Sequence, residues 1–315
     1  MHLSEAFTAF ITSRIMAGHT RKTISHYRSS VGTLLRQAGE SAPLNQQTLN
    51  DFFLWLATDS QLTPISRHTY SRGIRAFVNW TASEGLTGPL KIPTIRLPQT
   101  AITPLTSDEI GSLLKQFDQR RFAGIRNHTI TLMLYDTGVR LGEALSLIIP
   151  DIDWDDRFIL IRQGKGQKDR WVPYSRILDA ELKRYVKTRA RQCPTDDALW
   201  INRGGSPLKI RGFQTALNKA GQGVKTHTRI SAHTLRHSFA LSYIESGGDP
   251  YSLQRILGHT SQSMTAKYVN MGRNNLRSAH EKFSPLATAY NATNGSSIPS
   301  HTHTVSSASR PPKRQ

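Results

Sequence analysis

Apolar residues recur at helical spacing through the first 85 residues. Leu3, Ala6, Phe7, Phe10 and Ile11 form one stripe, with Ser4 as a candidate cap. Thr20 opens a second run over residues 23–38, which Gly39 ends. Residues 48–58 carry Leu49, Phe52, Phe53 and Leu56, and Pro64 starts a fourth run through Trp80 that closes near Gly85. Four helices without a strand signal predict a small all-α domain over residues 1–87. Residues 88–104 hold Pro89, Pro93, Pro98 and Pro104 with little periodicity, so an extended, partly stiff linker is expected there.

A second domain is expected over residues 105–286. Ser107, Asp108 and Glu109 start a helix continued by Ile110, Leu113, Leu114 and Phe117, and residues 127–135 form another apolar helix. The pattern then turns β-like. Residues 157–161 and 170–174 flank a glycine turn, Gly164 to Asp169, that joins two strands. Helical patterns return over residues 175–191, 212–220, 233–246 and 250–257. The expected fold class is therefore mainly α with a small β-sheet, an α+β domain behind an all-α one. Residues 287–315 are Ser/Thr-rich and nearly free of large apolar groups, so they are not expected to fold.

Charge adds a partner to this picture. The 315 residues carry 41 Lys and Arg against 22 acids, a formal charge of +19, which calls for a polyanion such as a phosphate backbone. The excess is spread, ten basic against five acidic residues in 1–100 and 28 against 17 in 101–285, so both halves are expected to touch the polymer. Cys193 is the only cysteine, which excludes a disulfide within the chain and a zinc site built on several cysteines. The first residues lack a signal-peptide layout and no apolar run reaches about 18 residues, so a soluble, cytoplasmic protein with no membrane partner is expected.

Phosphoryl transfer on a nucleic acid without a metal needs cations around the phosphate, a nucleophile and an acid for the leaving oxygen. Candidates for each lie in order along the second domain. Arg140 follows the turn Thr137-Gly138-Val139 at the start of a helix, where free N–H groups also favour an anion. Arginine's planar fork pairs with phosphate oxygens and stays charged at any working pH. Lys165 sits in the turn between the strands as a candidate acid, with Lys168 as a rival. His233 and Arg236 share a helix face at i and i+3. His237 lies at i+4 from His233, a spacing that could also bind a metal, but the glutamate of a His-Glu-x-x-His motif is absent, since Thr234 follows His233. His259 follows Gly258 at a helix end, and Tyr268 lies nine residues further on.

Taken together, Arg140, Lys165, His233-x-x-Arg236, Gly258-His259 and Tyr268 resemble, in order and approximate spacing, the tyrosine recombinases of the phage-integrase class. The strings around these residues look closest to Xer recombinases and to phage or transposon integrases. The resemblance is strong over roughly residues 105–285, and the helical N-terminal region is similar to the family's core-binding domain in length and character. It implies that Tyr268 attacks a DNA phosphate to leave a 3′-phosphotyrosine while Lys165 protonates the departing 5′-oxygen. Arg140 and Arg236 would grip the non-bridging oxygens, with His233 and His259 adding hydrogen bonds or assisting proton transfer. One phosphoester replaces another, so no nucleotide cofactor and no metal are implied, in keeping with the absence of a phosphate-binding loop motif. The partners implied are double-stranded DNA at specific sites and a homotetramer on two duplexes. Accessory DNA-bending proteins stay open, as does the choice among integration, excision, transposition and resolution. The alternative from a neighbouring class is a type IB topoisomerase.

Overall fold

The computed structural model describes residues 2–95, 103–162, 169–192 and 197–258. The chain divides into two units, residues 1–101 and residues 102–315, each with its own core.

Four helices make the first unit: α1 (Leu3–Met16), α2 (Arg21–Ala38), α3 (Gln46–Thr58) and α4 (Pro64–Ser83). Thr20, Asn45 and Thr63 cap the last three, each side chain accepting an N–H three residues on. Ser4 does not cap α1. Leu3 is fully buried, so the helix starts there with His2 before it, and the N–H groups of Leu3 and Ser4 donate to Ala42 and Glu40 carbonyls of the loop after α2. Phe10 centres the core, its ring 5.0 Å from Tyr27 and 5.4 Å from both Phe77 and Trp80. α2 and α4 cross at Ser30 and Gly73, where a Cβ on Gly73 would stand 2.4 Å from the Ser30 hydroxyl. Leu90, Ile92 and Ile95 pack on the same core, and Gln46 holds Lys91 by both its N–H (2.8 Å) and its carbonyl (2.9 Å). The first part of the stretch expected as linker thus lies on the first unit.

The second unit begins with α5 (Ser107–Lys115), α6 (Phe122–Thr137) and the short α7 (Leu141–Leu145). A three-stranded antiparallel sheet follows, β1 (Ile152–Asp153), β2 (Phe158–Ile161) and β3 (Arg170–Pro173) in that order, with Ile159 opposite Val172 and Ile161 opposite Arg170. α8 (Arg176–Ala190), α9 (Ile210–Gln222), α10 (Ala232–Glu245) and α11 (Pro250–Leu257) complete it. α6 is the axis, packed by α5, α7, α8, α9 and α10. It is buried on nearly every side, so even its polar residues lie inside. Thr129, Thr131 and Thr137 return their hydroxyls to carbonyls four residues back, and Arg126 donates to Ile201 O and to Asn127. Phe122 and Ile125 also pack on this core, which is why the helix starts five residues before the apolar run at 127–135. The fold is mainly helical with one small sheet, as expected.

Candidate active site

Gly138 ends α6 in the left-handed conformation, φ 62°, at a point where no side chain fits. A Cβ there would stand 2.3 Å from the Phe239 ring and 2.8 Å from Leu257. The turn brings Arg140 to the start of α7, its side chain 43% exposed. At this helix start the chain supplies one carboxylate of its own. Glu143 accepts the Arg140 backbone N–H on Oε2 at 2.9 Å and the Arg140 Nη1 on Oε1 at 2.8 Å.

Ser231 caps α10 by accepting the Thr234 N–H, which sets His233 and Arg236 on the first turns. Arg236 is buried. Its Nη1 donates to Gly138 O at 2.7 Å and its Nη2 to Leu257 O at 2.9 Å, so one guanidinium joins the ends of α6 and α11. His233 keeps an exposed edge. Partial burial first, and then the charges of Arg236 and Arg140, hold its imidazole below the ordinary value of 6.5. The ring of His237 stands edge-on to it, centroids 4.4 Å apart. Among the described residues, no group of three or more His, Cys, Asp or Glu is placed to hold a metal.

A third element closes the arrangement. Arg170, the first residue of β3, donates through Nη2 to Glu143 Oε2 (2.8 Å), through Nη1 to Glu143 Oε1 (3.3 Å), and through Nε to Ile256 O (2.9 Å). Burial would raise the Glu143 pKa, but hydrogen bonds from Arg170 and Arg140 outweigh it and leave the carboxyl below its ordinary value. Glu143 is therefore an anion shared by two arginines.

The structure brings Arg140, His233 and Arg236 to one place from α7 and α10. Lys165, Lys168, His259 and Tyr268 lie outside the described residues. Two participants escaped the motif reading. Glu143 carried a local signal, a carboxylate three residues after a helix-start arginine. Arg170 carried none, because its partners are 27 and 86 residues away in the chain.

The model of the phage integrase family matches residues 104–274, and the chain belongs to that family: it is a tyrosine-type site-specific recombinase. Among its relatives, the tyrosine recombinase XerC of Oceanobacillus iheyensis is 31% identical over 279 residues, covering 84% of this chain and 90% of that one. The Tn1549 transposon integrase, solved with transposon right-end DNA, shares the fold with a TM-score of 0.76 at 17% identity over 90% of this chain and 99% of that one. A lambda integrase tetramer bound to a Holliday junction gives a TM-score of 0.68 at 15% identity, covering 85% and 77%. These relatives do not favour the topoisomerase alternative.

Proposed function

We propose that this chain recombines DNA at defined sites by using Tyr268 as the nucleophile, with Arg140, His233, Arg236 and His259 around the scissile phosphate and Lys165 as the acid. The observation that carries the reading is the meeting of Arg140, Arg236 and His233 at the junction of α6, α7 and α10. Two cations beside one hydrogen-bonding imidazole suit a phosphate diester whose charge grows at phosphorus. With its pKa lowered, His233 is neutral near pH 7 and can either accept or donate a proton. Tyr268, whose ordinary pKa is about 10, would gain nucleophilicity from the two cations. The bond is conserved as a phosphoester, so the step needs neither nucleotide nor metal.

Double-stranded DNA is the substrate in this reading. The surface of the first unit supports it, since α2 and α4 carry seven of the ten basic residues in 1–100 and no acidic one. The working assembly is a tetramer on two duplexes, in line with the lambda integrase neighbour, and its place is the cytoplasm, with the DNA. The domain plan is a DNA-clamping unit over 1–87 with residues 90–95 packed on it, a linker over the remainder of 88–104, a catalytic unit over 105–286 and a tail over 287–315.

The test is covalent trapping on a nicked duplex carrying the chain's own site, identified by sequencing junctions formed in its genomic neighbourhood. The wild-type chain should give an adduct stable to SDS, and Tyr268→Phe should bind the DNA and give none. A Phe variant that still forms the adduct would move the nucleophile to Tyr243 or Tyr251. A substrate with sulfur in place of the bridging 5′-oxygen needs no proton on leaving. It should restore Lys165→Ala and leave Arg140→Ala defective.

A further inference from the structure

We propose that Arg170 is a positioning residue of the catalytic centre, which acts on Arg140 through Glu143; the proposal rests on the phosphate-clamp role given to Arg140 above. The electrostatic argument comes first. Glu143 is an anion in direct contact with Arg140, and by itself it would cancel the positive charge that a phosphate has to meet. Arg170 offsets it. Its guanidinium lies along both carboxylate oxygens, and its side chain is only 10% exposed, against 43% for Arg140. The trio keeps a net charge of +1, and the arginine nearer solvent is the one that carries it outward.

Geometry gives the second argument. Arg140 reaches Glu143 with one Nη, and Glu143 is fixed by the fork of Arg170, which holds two oxygens at once where a lysine could not. The Nε of Arg170 is in turn fixed by Ile256 O, the carbonyl next to the Leu257 O that anchors Arg236. Consecutive carbonyls at the end of α11 therefore set the positions of both arginines. Gly258 makes room for this, since a Cβ there would stand 2.9 Å from Arg170 Cζ. A residue that only pinned β3 to α11 would need the bond to Ile256 O but not the paired bonds to Glu143.

The experiment uses the full chain and measures single-turnover covalent-complex formation on two nicked duplexes. One has the ordinary scissile phosphate. In the other a methyl group replaces a non-bridging oxygen, which removes a negative charge and with it most of the need for one clamp cation. Arg170→Met should slow cleavage of the ordinary phosphate at least about tenfold, and most of that loss should vanish on the methylphosphonate, in parallel with Arg140→Ala. Arg170→Lys keeps the charge and loses the fork, so it should fold, fall between wild type and Arg170→Met, and show the same substrate dependence. Equal losses on both substrates in both variants, tracking a lower melting temperature, would overturn the proposal in favour of a purely structural arginine. Wild-type rates in Arg170→Met would overturn it as well. A wild-type chain that forms no covalent complex on either duplex would sink the proposed function itself, and this inference with it.

Discussion

Replacing Arg236 by alanine removes a cation from the candidate site and also strips the Gly138 and Leu257 carbonyls of their donors. Each buried carbonyl left unpaired costs roughly 1–3 kcal/mol. Arg236→Ala is therefore expected to melt earlier than wild type as well as to lose covalent-complex formation by orders of magnitude. Arg236→Lys keeps the charge but loses the fork, so it should regain part of the stability and little of the rate. Thermal denaturation run beside single-turnover cleavage separates the two effects, and an alanine variant that melts like wild type would remove the anchoring role. His233 offers a pH test. Its folded pKa lies below 6.5, so between that lowered value and 6.5 the unfolded chain binds the proton and the folded chain does not. Stability from this residue is thus complete above 6.5 and declines as pH falls towards the lowered value. An NMR titration of the His233 ring should place its midpoint below 6.5, and Arg140→Ala should move it upward by removing one of the charges that lower it. That Arg140, His233 and Arg236 would come together was suggested by motif order alone. The role of Glu143 was not, because a carboxylate shared by two guanidiniums exists only after β3 has been brought to α7.

At the scale of elements, the crossing of α2 and α4 depends on one missing side chain. Gly73→Ala would gain about 1 kcal/mol in helix propensity, but its Cβ would meet Ser30 Oγ at 2.4 Å and Ser30 Cβ at 2.5 Å, both close to a buried backbone. Overpacking of that kind costs roughly 1–3 kcal/mol, so the substitution should lower the melting temperature. Gly32→Ala is the control. Its Cβ would meet only the flexible end of Arg36 at 3.6 Å, so it should leave stability unchanged or raise it. If both variants melted alike, close helix approach would not be what Gly73 supplies. Legibility differed between elements for related reasons. The amphipathic helices α2 and α3 and the capped α11 could be read from spacing and caps to within two residues. The start of α6 was obscured because Arg126, Asn127 and His128 are polar yet buried, their burial supplied by helices far away in sequence. β1 has two residues and α7 five, too short for any period to show.

For the whole molecule, a formal charge of +19 predicts DNA binding that weakens steeply with salt, and the test of organisation lies beyond Tyr268. Leu276, Ala279, Phe283 and Leu286 recur at helical spacing there, with Arg273 before them and Arg277 and Lys282 between them. The stripe lies outside the described residues; an isolated amphipathic segment of that length would be marginal in water, and a neighbouring protomer is the surface expected to receive it. Ending the chain after Asn270 should leave DNA binding largely intact and abolish complete strand exchange, whereas ending it after Ala287 should cost little. A chain of residues 1–270 that assembles tetramers and recombines would show that the stripe couples nothing. Finally, the hold that Arg236 and Arg170 keep on the last carbonyls of α6 and α11 has a thermal meaning. The cationic cradle is not carried on a soft loop that can fray while the rest endures. It is fastened to the helix against which α5, α7, α8, α9 and α10 pack, so it is expected to have no melting point of its own. On slow heating, cleavage should fade together with the unfolding of the second unit and no earlier, and the backbone amides around Gly138 should exchange with solvent only when that unit opens as a whole.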